Sequence, residues 1–133
     1  MIKKVEHIGI AVKDLDQAEK LFSALLGIAS YKREVVASEK VTTSFFRAGD
    51  SKIELLETLA DESAIARFIS KKGEGMHHIA FEVDDIHAEM TRLKELGFNL
   101  LSEEPMRGAD NKLICFIHPK SAGGVLVELC QEI

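Results

Sequence analysis

The strongest constraint on this chain is that it says one thing twice. Val5-Glu6-His7-Ile8-Gly9-Ile10-Ala11-Val12-Lys13-Asp14-Leu15 is restated as Met76-His77-His78-Ile79-Ala80-Phe81-Glu82-Val83-Asp84-Asp85-Ile86. In each copy a histidine opens an alternating apolar run that ends in Val, and an Asp and an aliphatic residue close the stretch. Alternation of this kind is the mark of a half-buried strand, and Asp ahead of an apolar stripe is the mark of a helix N-cap. A chain written this way folds as one supersecondary unit used twice, and it can offer each functional residue twice.

Taken in order, residues 2–12 read as a strand with His7, Gly9 and Ala11 on one face and Ile8, Ile10 and Val12 on the other. Asp14 caps a helix striped by Leu15, Ala18, Leu21, Phe22, Leu25 and Leu26, which Gly27 ends. Strands follow over residues 28–37, 41–48 and 52–58, separated by polar turns. Residues 59–75 form a bridge with a short helix started by Asp61-Glu62-Ser63 and a polar exit, Lys71-Lys72-Gly73-Glu74-Gly75. The order then repeats: a strand over 78–83, a helix from Asp85 with Ile86, Met90, Leu93 and Leu96 in its stripe, and Gly97 at its end. A short strand over 98–101, a loop over 102–111, and strands over 112–118 and 125–130 complete the copy. The expected fold is α+β: two βαβββ modules in tandem, forming a cleft of two curved mixed sheets. The expected organisation is one domain over 1–133, with module 1 at about 1–58, the bridge at 59–75 and module 2 at about 76–133.

Bulk properties exclude some partners. A net charge of -5 argues against general binding of nucleic acid or of an anionic membrane surface. No apolar run reaches the length of a membrane span, and no signal segment opens the chain, so the expected location is cytoplasmic. Cys115 and Cys130 lack metal-type spacing and read as small buried hydrophobes in a reducing compartment.

Chemistry concentrates at four positions. Each module has a histidine on its first strand and a glutamate inside its last, in Ile53-Glu54-Leu55 and Val127-Glu128-Leu129. His7 to Glu54 spans 47 positions and His78 to Glu128 spans 50, a mismatch that loops absorb. A carboxylate inside an apolar strand is unfavourable unless it is paired or bound to a cation. If the modules pack around one cleft, His7, Glu54, His78 and Glu128 converge on it. Two imidazoles and two carboxylates suit a borderline divalent ion such as Co, Ni, Mn or Zn. A lone strand histidine is more often structural and a lone strand glutamate more often solvated; the repetition of the pair favours the ligand reading. His77 should face away from His78, and His87 should be solvated on its helix. His118, ahead of Pro119, is a substrate-contact candidate.

At these residues the chain resembles the vicinal-oxygen-chelate superfamily, which includes glyoxalase I, extradiol dioxygenases, drug-binding resistance proteins and methylmalonyl-CoA epimerases. His7-Ile8-Gly9-Ile10-Ala11-Val12 is shared broadly; Gly73-Glu74-Gly75-Met76-His77-His78 and His118-Pro119-Lys120-Ser121 with Gly124-Val125-Leu126-Val127-Glu128-Leu129 look specifically like the epimerases. The resemblance implies a divalent metal on the residues matching His7, Glu54, His78 and Glu128, a CoA thioester substrate, and proton abstraction through an enolate. It also implies a carboxylate that some epimerases carry on the third strand, where this chain offers only Val41 to Phe46. Glu128 and Glu54 are then the expected proton carriers. Lys71, Lys72, Arg107, Lys112 and above all Lys120 are the expected cations for the CoA phosphates. The expected assembly is a homodimer. Glyoxalase I and a non-catalytic drug-binding protein remain the alternatives, and a two-His, one-carboxylate dioxygenase site fits the four residues less well.

Overall fold

Both copies of the repeat fold as strand, helix and three strands in a computed structural model that describes residues 1–133. The elements are β1 (Ile2–Ala11), α1 (Leu15–Leu26), β2 (Lys32–Val36), β3 (Val41–Ala48), β4 (Ser51–Thr58), α2 (Ala64–Lys72), β5 (Gly75–Val83), α3 (Ile86–Glu95), β6 (Met106–Gly108), β7 (Lys112–Ile117) and β8 (Val127–Glu132). They group into two units, residues 8–77 and residues 1–7 with 78–133, so β1 contributes to both. The α+β class and the two βαβββ modules are as the repeat predicts.

In the unit of residues 8–77 the strand order is β2-β3-β4-β1. Asp14 accepts a hydrogen bond from the Gln17 amide and so caps α1, while Gly27 takes the left-handed φ of 72° that ends it. The α1 side of this sheet buries Val12, Leu15, Phe46 and Leu55, with Ile10, Ala18, Phe22 and Ile53 packed against them. Each such large apolar side chain contributes roughly 1.5–3 kcal/mol when fully buried. Side chains alternate along a strand, so the opposite face carries Val41, Thr43 and Phe45 of β3, in register with Thr58, Leu56 and Glu54 of β4.

Thr43 is 1% exposed, and its Oγ1 has no hydrogen-bond partner in the fold. A hydroxyl in that position carries a desolvation penalty of about 1–3 kcal/mol, which valine, of the same shape, does not. Thr43→Val is therefore expected to raise the melting temperature by roughly 3–6 °C, read by calorimetry. A lowered melting temperature would show that the hydroxyl has an internal partner.

The other unit orders its strands β1-β5-β8-β7-β6. β8 runs parallel to β5 and antiparallel to β7, which is in turn antiparallel to β6. Asp85 caps α3 by accepting from the Ala88 amide. Ile86, Met90 and Leu93 of that helix bury themselves against Val83, Cys115, Ile117 and Leu129. The helix-free face holds Ala80, Ile114, Cys130 and Phe116. Glu128 is in register with Ala80 on one side and Phe116 on the other, so its side chain belongs to this second face, as does His78 two residues before Ala80. Both cysteines are free and buried; burial pushes the Cys115 thiol up to about 11 and the Cys130 thiol up further, as expected of inert packing residues.

Two expectations need correction. Residues 98–101 form no strand: Leu100 makes a single bridge to Ile117, and the short β6 lies instead inside the expected loop. β6 approaches β7 closely: a Cβ on Gly108 would come within 2.7 Å of the Ile114 side chain, so a larger residue there would require Ile114 to shift. Residues 28–31 also stay outside β2, leaving Ile28 exposed, although the Tyr31 amide still bonds to the Phe45 carbonyl.

Candidate metal centre and active site

Three of the four expected ligands meet in one cluster. β1 lies beside β5 and β5 beside β8, which brings His7, His78 and Glu128 onto neighbouring strands. The Nε2 atoms of His7 and His78 are 3.0 Å apart. Glu128 Oε1 is 3.2 Å from His78 Nε2 and 3.6 Å from His7 Nε2. All three side chains are buried, and the rings of the two histidines meet edge to face at 87°. Phe116 adds an apolar wall, its ring perpendicular to that of His78 at 5.8 Å.

These donors fit a divalent ion. Bonds of about 2.0–2.2 Å to one ion at tetrahedral or octahedral angles place neighbouring donors roughly 3.0–3.6 Å apart, the range these three atoms span. Their convergence through Nε2 and Oε1 is hard to explain as packing alone, since buried titratable groups are otherwise expensive.

Burial by itself would raise the Glu128 carboxyl. In the cation-free protein, the charge and hydrogen bonds of His7 and His78, when these rings are protonated, outweigh it and hold the group at about 2. Glu128 is thus an ionised acceptor at neutral pH.

Glu54 stands at the centre of β4 in the unit of residues 8–77, 3% exposed, opposite Phe45 and on the face away from α1. Its burial agrees with the reading that a carboxylate there is not a solvated surface group. His118 caps its own turn, its Nδ1 accepting from the Lys120 amide at 3.0 Å, and Lys120 is exposed beside it; neither belongs to the histidine cluster. Lys112 is not available to a soluble anion, because it is 5% exposed and lies 3.4 Å from Glu132. His87 is exposed on α3, and His77 turns to Phe68 with ring centres 5.0 Å apart, both as alternation and helical spacing predict.

Sequence reasoning misses Glu6. It is 2% exposed, and its Oε1 lies 2.8 Å from His7 Nδ1. The available signal was a carboxylate directly before a strand histidine, which strict alternation assigns to the other face. Phe116 is missed as well, since only the register that sets it opposite Glu128 reveals it.

Comparison with known proteins adds to this geometry. The family model described as the glyoxalase/bleomycin resistance protein/dioxygenase superfamily matches residues 6–116. The mitochondrial methylmalonyl-CoA epimerase of Homo sapiens is 42% identical over 129 residues, covering 96% of this chain and 73% of that protein. An ethylmalonyl-CoA/methylmalonyl-CoA epimerase of Cereibacter sphaeroides is 42% identical over 133 residues, covering 98% and 99%. A variant of the Streptomyces coelicolor methylmalonyl-CoA epimerase, solved with 2-nitronate-propionyl-CoA, superposes with a TM-score of 0.95 at 34% identity and covers 99% of both chains. The chain belongs to the glyoxalase/bleomycin resistance protein/dioxygenase superfamily and, within it, to the family of the methylmalonyl-CoA epimerases, which are isomerases.

Proposed function

We propose that this protein epimerises methylmalonyl-CoA by removing the proton on the carbon between thioester and carboxylate and returning it to the opposite face. The observation that carries the reading is the His7, His78 and Glu128 cluster on the helix-free face of its sheet. In this reading those three residues hold a divalent cation. A bound divalent cation supplies positive charge at the thioester oxygen, where negative charge gathers as the substrate becomes an enolate.

The chain's own residues then move the proton. Glu128 accepts it on one face. Inversion without the substrate turning over calls for a second, protonated carrier on the other face, which gives up its proton as Glu128 takes one; the two protonation states then reset through solvent, so nothing is consumed. Phe116 walls the reacting carbon, while Lys120 and His118 meet the CoA portion. No helix is long and apolar enough to cross a membrane. A homodimer is supported by the exposed Leu21 and Leu25 of α1, 64% and 71% accessible.

Incubation with one epimer of methylmalonyl-CoA in heavy water is expected to yield both epimers carrying deuterium at the α-carbon. The hemithioacetal of methylglyoxal and glutathione, tested in parallel, should be left unconverted. Turnover of the hemithioacetal with none of the CoA ester would instead assign a glyoxalase I reaction.

A further inference from the structure

Glu6 occupies a place where a half-buried strand should not carry a carboxylate. Neighbouring residues of a strand point to opposite faces, so a contact between the side chains of Glu6 and His7 departs from the pattern. The departure has a geometric result: Glu6 Oε1 sits 2.8 Å from His7 Nδ1. That contact engages one ring nitrogen and leaves Nε2 as the atom facing His78 at 3.0 Å and Glu128 at 3.6 Å. A neutral imidazole has one N–H and one lone pair, and a carboxylate beside one nitrogen draws the hydrogen there. The lone pair is then on the other nitrogen, and the ring cannot turn without breaking the bond.

We propose that Glu6 is a positioning residue: it holds His7 as the Nδ1–H tautomer with Nε2 turned towards the point that His78 and Glu128 also face, and so sets the affinity for the cation. The inference rests on the reading of His7, His78 and Glu128 as a cation site. It assigns a function to the residue ahead of the strand histidine that neither the repeat nor the four-ligand pattern provides. A carboxylate partner also makes the imidazole a stronger donor, so its loss should weaken cation binding even where the ring stays in place.

The test uses the full chain stripped with a chelator and titrated with Co(II) against a competing chelator of known affinity. Visible absorption of the cobalt-saturated protein is recorded alongside. Glu6→Gln keeps the size of the side chain and an acceptor oxygen but removes the charge; Glu6→Ala removes both. The cobalt affinity is expected to fall about 10–100-fold in Glu6→Ala and by less in Glu6→Gln. The band positions and intensity at saturation should stay as in the unmodified protein, because the ligands are the same. The glutamine variant keeps the test decisive if the alanine variant does not fold. Unchanged affinity in Glu6→Gln together with Glu6→Ala would overturn the proposal, and so would altered band intensity in Glu6→Gln, since that makes Glu6 a ligand. An unmodified protein that binds no cobalt would instead remove the cation reading itself, a result distinguishable from either of these.

Discussion

Glu128→Gln is expected to slow deuterium exchange at the α-carbon of methylmalonyl-CoA by roughly 10²–10⁴-fold, the usual contribution of a positioned proton carrier. Glutamine matches the shape of the side chain and can still accept from the imidazoles, so the fold should persist; what it lacks is the charge that takes the proton. Exchange is measured by NMR at saturating cation, which separates proton transfer from ligand loss. Exchange at the unmodified rate, with the cation shown to be bound, would remove Glu128 from the chemistry. The same variant has a signature in the cation-free protein. Because the carboxyl is held down to about 2 in the fold, the stability it contributes is complete above its ordinary value near 4.5 and is lost as the pH falls towards 2. The melting temperatures of the two proteins should therefore converge over that interval on acidification, and parallel curves would contradict the assignment.

His78→Ala should have the larger effect on the cation itself. His78 is the member of the cluster nearest to both others, at 3.0 Å from His7 and 3.2 Å from Glu128. On the proposed reading its removal deletes a ligand rather than a ligand's partner, so the loss should exceed the ~10–100-fold that partners typically contribute. It also leaves Glu128 with only His7 at 3.6 Å, in a buried setting that penalises an unpaired carboxylate. Exchange at the α-carbon is expected to fall with the bound cation and to recover in part when the cation concentration is raised. Recovery separates this variant from Glu128→Gln, which should stay slow at any concentration.

What could be read from the sequence was local or repeated. Asp14 and Asp85 announce their helices because a cap is made by residues a few positions apart, and both accept the expected amide hydrogen bonds. His7 and His78 stand out only because the repeat presents the same residue twice; their approach, across 71 positions, depends on β1 lying beside β5. The segments that differ depend on contacts between distant residues. β6 pairs with β7 with Gly108 passing close to Ile114, and no alternation over three residues signals that. Lys112 looks like a loop-end cation, yet it begins β7 and turns inward to Glu132. Glu6 departs from strand alternation altogether, so it appears as a partner of His7 only in three dimensions.

In the proposed function, two imidazoles and Glu128 gather one divalent cation on which proton exchange depends. Its most direct test is the exchange rate at the α-carbon of chelator-stripped protein as Co(II) is added back. Exchange is expected to be negligible without the ion and to rise linearly until one ion per chain is bound, with His78→Ala showing no such break at that ratio. Full exchange in the stripped protein, or a rise that His78→Ala reproduces, would contradict it.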